Sequence, residues 1–170
     1  MKNIVLIGMP GTGKSVVGQA LASRLGYEFV DVDDLIVEKA GKSLPEILRQ
    51  DGLKTFYQIE GQVGQELNRT HTVIATGGSM VLYPEAMAHL KEDSVVVWLQ
   101  TPFTQIQERM PADLYDRGIA APKDESLRDI YEERRGLYAK YADLIVASQD
   151  GEDNTAHLVE EVMRTVGLQA

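Results

Sequence analysis

The 170-residue sequence predicts a three-layer α/β domain, a parallel sheet with helices on both faces. Three observations predict it. Apolar runs and amphipathic stretches alternate from end to end. The runs are short, rich in Val and Ile, and largely without polar alternation, as strands covered on both sides are. A glycine-rich segment ending in Lys-Ser follows the first run and opens the first helical pattern.

In chain order, strands are expected at residues 4–7, 28–31, 72–76, 94–99 and 143–146. Val17, Leu21 and Leu25 share one helical stripe, and Gly26 follows as the C-terminal cap. Further helical patterns cover 44–50, 56–68, 84–91, 103–110, 125–140 and 156–166. Residues 111–125 break the regularity with Pro111, Pro122, Gly118 and many charges, which reads as a mobile lid over a ligand. No repeat, low-complexity segment or linker divides the chain, so residues 1–170 are read as one domain.

Composition narrows the function. Seventeen basic against 26 acidic residues give a net charge of -9, which repels phosphate backbones and anionic lipid. Nucleic acid and membrane are therefore not expected as partners; a small molecule is. The absence of cysteine removes disulfides, thiolate catalysis and Cys-based metal sites together. The apolar N-terminal run breaks at once into Gly8-Met9-Pro10-Gly11 without a cleavage pattern, and no stretch reaches the roughly 20 apolar residues of a membrane span. A cytoplasmic protein is expected, with a monomer as the default.

Gly8-Met9-Pro10-Gly11-Thr12-Gly13-Lys14-Ser15 fits G-x-x-x-x-G-K-[ST] in full. Gly8, Gly11 and Gly13 let the loop curl with its N–H groups inward, and Thr12 lies within that nest. The following helix turns its positive end to the same phosphates. Lys14 is placed to reach the β- and γ-phosphates of ATP, and Ser15 to ligate Mg²⁺. By chance alone such a pattern arises in roughly one chain of this length in a hundred or fewer. No N-K-x-D or T-K-x-D element follows, so a guanine-reading switch is not indicated.

The second strand ends in Asp31-Val32-Asp33-Asp34, where ligands bind in open α/β sheets. Asp31 and Asp33 alternate with Val32, so both are expected to point to one side of the strand. One can then support Mg²⁺ while the other accepts a hydroxyl proton. The plainer reading, an acidic helix cap, suffices for Asp34.

Together the phosphate loop, Asp31-x-Asp33 and Ala75-Thr76-Gly77-Gly78 resemble the shikimate kinase family. The likeness continues through Arg117, Glu133-Arg134, Leu137-Tyr138 and Ala142-Asp143, in order over nearly the whole chain. The resemblance implies a five-stranded parallel sheet of the nucleoside-monophosphate-kinase kind with a closing lid. It implies that Asp31 supports Mg²⁺ with Ser15, and that Asp33 binds the accepting hydroxyl and serves as base. Gly77 and Gly78 offer backbone to the substrate, Arg117 covers ATP, and Arg134 binds the substrate carboxylate.

The acceptor half departs from the family pattern. Where the family carries F-R-x-x-E, this chain has Phe56-Tyr57-Gln58-Ile59-Glu60, so Tyr57 stands in the place of a carboxylate-binding Arg. Ser79 replaces the third glycine of Gly-Gly-Gly, Arg117-Gly118-Ile119 the lid's Arg-Pro-Leu, and Arg135-Gly136 interrupts the usual Pro. Losing one charge-assisted hydrogen bond costs about tenfold to a hundredfold in affinity. Lys54, three residues before Tyr57, and Arg135 are the candidates to replace it. The expected activity is transfer of the ATP γ-phosphoryl group to shikimate. The alternatives are another hydroxy or amino acid such as homoserine, and a non-catalytic ATP-binding regulator. His71, His89 and His157 lack metal-ligand spacing, and Trp98, Tyr138 and Tyr141 are read as core.

Overall fold

The computed structural model describes residues 2–148 and 155–169. Among these, five strands form one parallel sheet in the order β2-β3-β1-β4-β5: β1 (Asn3–Ile7), β2 (Glu28–Asp31), β3 (Thr72–Ala75), β4 (Ser94–Gln100) and β5 (Leu144–Ala147). Val5 of the central strand pairs Ile74 on one side and Val96 on the other. All strands run the same way, so the loops after β1, β2, β3 and β4 gather at one edge.

The Val/Ile-rich runs form buried strands because each side chain in turn meets a helical layer. Val5, Ile7, Ile74, Val96 and Trp98 face one core; Ile4, Leu6, Val73, Val97 and Leu99 face the other. The first core is closed by α2 (Val32–Ala40), α4 (Leu53–Glu66), α5 (Pro84–Lys91) and α7 (Leu127–Tyr141), the second by α1 (Lys14–Leu25) and α8 (Thr155–Gln169). The remaining helices are the short α3 (Leu44–Glu46) and α6 (Phe103–Arg109). Gly26 caps α1 as expected, with φ 70° and its N–H bonded to Ala22 O.

Three local features differ from expectation. Asp33 does not continue strand β2: the strand stops at Asp31, whose side chain caps α2 by accepting from Asp33 N at 3.0 Å. An Asp that can satisfy the orphan N–H groups of a first turn favours a helix start over strand extension. The helix expected over 44–50 is split, with α3 running into a π-helical turn at Ile47–Asp51. The next helix begins at Leu53, after Gly52 at φ 90°.

The irregular segment 111–125 combines buried and exposed residues. It holds a 3-10 turn at Leu114–Arg117, and Ile119, Ala120 and Ala121 are buried. Tyr115 OH donates to Ala121 O at 3.1 Å, and Arg49 reaches across to Asp113 and Asp116. No helix among the described residues is long and apolar enough to cross a membrane.

Candidate active site

The loops at the strand ends enclose a cleft of ≈ 590 Å³ lined by the phosphate loop, Asp31, Asp33, Glu60 and three arginines, Arg109, Arg117 and Arg134. It is built from residues far apart in sequence and close in the sheet.

On the phosphate-loop side, Gly11, Thr12, Gly13, Lys14 and Ser15 line the cleft. Gly8 lies beneath it, and its carbonyl accepts from Lys14 Nζ at 2.7 Å; Met9 O accepts at 2.8 Å. An ammonium has three donors, so one N–H of Lys14 is left for an oxygen in the loop. Burial pulls Lys14 down to about 8, against the attraction of Asp33 and Asp31. Thr12 Oγ1 is buried with no hydrogen-bond partner, so the loop keeps a second donor for an anionic oxygen.

Ser15 Oγ donates to Asp31 Oδ2 at 2.5 Å, which brings a hydroxyl and a carboxylate together beside the loop. Asp33, in the first turn of α2, also lines the cleft. Burial and the neighbouring Asp31 push Asp33 up to about 6, with Lys14 opposing them. The two aspartates thus share the site through helix capping and not through strand alternation.

After β3 the chain runs close to both walls. A Cβ on Gly77 would stand 2.8 Å from Glu60 Oε2 and 3.1 Å from Asp33 Oδ1, and one on Gly78 2.6 Å from the Pro10 ring. A side chain at 78 would press on Pro10 of the phosphate loop, and one at 77 would displace the two carboxylates. Tyr138 OH donates to Gly78 O at 2.6 Å, a fixing contact beyond the core role expected of it.

Arg134 is buried, 3% exposed, and donates to Ala120 O at 2.5 Å. Among the described residues no carboxylate forms an ion pair with it. Arg117 is exposed at the mouth and donates to Arg109 O at 2.8 Å. Arg109, which the sequence did not single out, lines the cleft and donates to Gly11 O at 2.6 Å.

Tyr57 is not part of the cleft wall. It lines a neighbouring groove with Lys54, Gln58 and Tyr83, and touches the cleft only through hydrogen-bonding reach to Arg134. Lys54 is exposed on that outer groove, and Arg135 is exposed and 3.8 Å from Glu132. Neither lines the cleft, because the helical positions that carry them face outward. Glu60, to which the sequence assigns no role, is a second such residue after Arg109. It is 1% exposed, lines the cleft, and burial pushes it up to about 7.

A phosphate loop opposite two aspartates and a buried guanidinium, on a 2-3-1-4-5 parallel sheet, defines a P-loop small-molecule kinase. The shikimate kinase family profile matches residues 10–167, and the chain belongs to that family. A shikimate kinase of a Synechococcus species is 42% identical over 150 residues, spanning 86% of this chain and 76% of the relative. That of Persephonella marina is 34% identical, covering 88% and 90%. Among solved structures, shikimate kinase from Acinetobacter baumannii in complex with shikimate superposes with a TM-score of 0.87 at 30% identity, covering 99% of this chain and 94% of that one. The Aquifex aeolicus enzyme gives 0.82 at 32%, covering 97% and 96%. The family uses ATP as phosphate donor.

Proposed function

We propose that the protein transfers the γ-phosphoryl group of ATP to a ring hydroxyl of shikimate, giving shikimate 3-phosphate and ADP. The observation that carries this reading is Arg134. A buried guanidinium without a carboxylate partner among the described residues is costly, and an acceptor carboxylate satisfies it. It opens into the same cleft as the phosphate loop and Asp33, so one molecule can lay its carboxylate on Arg134 and its hydroxyl on Asp33.

In this reading Gly11, Thr12 and Gly13 cradle the phosphates, and Lys14 uses its free N–H on the transferring group. Asp33 takes the hydroxyl proton as the acceptor oxygen bonds to Pγ and the bridge to the β-phosphate breaks. Gly77, Gly78 and Ser79 support the acceptor, Tyr57 acts on it through Arg134, and Arg117 bears on the transferring charge. Residues 111–125 serve as the lid.

Mg²⁺ is the expected metal, held by Ser15 Oγ and Asp31 Oδ2. Two oxygens suit an ion that takes one or two protein ligands and fills its shell with phosphate oxygens and water. Among the described residues no group of three or more His, Asp or Glu offers an all-protein cage. When bound, the ion neutralises charge on the β- and γ-phosphates. The same reading makes the protein a cytoplasmic monomer acting on a small molecule, in keeping with its net charge of -9.

A second acceptor, another small hydroxy acid such as homoserine, is favoured by one feature, the uncharged Tyr57 beside Arg134. ADP release with ATP and Mg²⁺ across a panel of hydroxy acids separates the two. Shikimate is expected to give the highest kcat/KM, with little release in its absence. Silence with shikimate and turnover with another acid would replace the substrate. No acceptor-dependent release at all would leave an ATP-binding regulator.

A further inference from the structure

Glu60 is the one Asp or Glu among the described residues buried to 1%, and neither of its hydrogen-bond donors is charged. Ser79 Oγ and Tyr83 OH both donate to Oε1, the latter at 3.0 Å. Oε2 and Asp33 Oδ1 crowd the same face of Gly77, where a Cβ would stand 2.8 Å from the first and 3.1 Å from the second. Tyr83 is itself held from both sides. Its ring rests on Gly61, where a Cβ would approach to 3.3 Å, and Tyr57 meets it edge-on with centroids 5.9 Å apart.

A buried carboxylate needs either a cation or several donors to stay in place. Position 57 lies one helical turn before Glu60 and carries a tyrosine; the hydroxyl at position 79 comes from the loop that carries Gly77 and Gly78. We propose that Ser79 and Tyr83 are positioning residues: their hydroxyls hold the Glu60 carboxylate, which seats the 77–79 backbone beside Asp33 without a cation at position 57. This deepens the acceptor site proposed above and rests on it.

The charged and titratable groups around Glu60 are Asp33 from α2, Lys14 from α1, Arg134 and Tyr138 from α7, Tyr57 from its own helix, and Tyr83 ahead of α5. Burial dominates and lifts Glu60 to about 7, while the Ser79 hydroxyl pulls it back. Its folded value lies above its ordinary one, so its stabilising contribution is present below the ordinary value of 4.5 and lost as pH rises through about 7. Without the Ser79 hydroxyl the carboxyl is harder to ionise, and the added loss falls at higher pH.

The test uses Ser79→Ala and Tyr83→Phe, each alone and combined with Tyr57→Arg. An arginine at 57 lies at i, i+3 to Glu60 and can pair with it. Each single variant is expected to lower kcat/KM for shikimate by about tenfold while the KM for ATP stays unchanged. In the Tyr57→Arg background that loss should shrink. A readout without substrate runs beside it. The urea midpoint of Ser79→Ala should fall further at about pH 8.5 than at about pH 5.5, and Tyr57→Arg should narrow the difference. Equal losses in both backgrounds, or an equal rise in KM for ATP, would overturn the proposal. If the parent protein turns over no shikimate, the acceptor reading fails, and the urea comparison alone decides whether the hydroxyls hold Glu60.

Discussion

Lys14→Ala should reduce phosphoryl transfer on the order of 10³-fold, measured as acceptor-dependent ADP release. Lys14 Nζ is the cation placed within the phosphate loop, tied to Gly8 O and Met9 O with one N–H to spare. Charge on the transferring oxygens grows toward the transition state, and the burial of Lys14 magnifies the interaction. Alanine leaves two loop carbonyls without their donor but also removes a desolvated cation, so the fold should survive, as circular dichroism and thermal melting can check. The pH dependence follows with a definite sign. Burial holds Lys14 at about 8 in the free protein, so ATP capture should decline as pH rises past that value. Bound phosphates favour the ammonium and move the decline in kcat to higher pH. Near-normal turnover by Lys14→Ala would remove the role given to this residue.

Asp33→Asn should lower kcat by about 10²- to 10⁴-fold, the range for loss of a positioned base. The substitution keeps shape and removes the proton acceptor. In the parent protein Asp33 is lifted to about 6 by burial and by Asp31, so it is protonated and idle below that value. The kcat/KM for shikimate should therefore rise with pH through about 6, and that rise should be missing in Asp33→Asn. A full acidic limb in the variant would assign it to another group, with Glu60 next in line.

How far the sequence discloses the molecule depends on how local each determinant is. The phosphate loop is legible because its glycines, Lys14 and Ser15 are consecutive and their spacing alone shapes the nest. The five strands are legible from Val/Ile runs buried on both faces. Asp31 and Asp33 were found for a partly wrong reason: Asp-Val-Asp reads equally as a strand end or as a helix cap, and the Asp31 contact to Asp33 N decides for the cap. That choice also hid α2. Glu60 is visible in the sequence only as the last position of a family pattern, without a role, because its two donors come from the chain some 20 residues away. Tyr57 was placed on the substrate by its position in a family pattern. Its helical phase sets its ring on the outer groove and leaves only its hydroxyl near Arg134.

The central claim is that one cleft brings the ATP phosphates and a shikimate hydroxyl together at Asp33. A crystal structure with ADP, Mg²⁺ and shikimate tests it most directly. The account predicts the shikimate carboxylate on Arg134, a ring hydroxyl within hydrogen-bonding distance of Asp33, and the β-phosphate of ADP in the loop at Lys14. Shikimate seated in the outer groove beside Tyr57 and Lys54, or turned with its carboxylate away from Arg134, would contradict it.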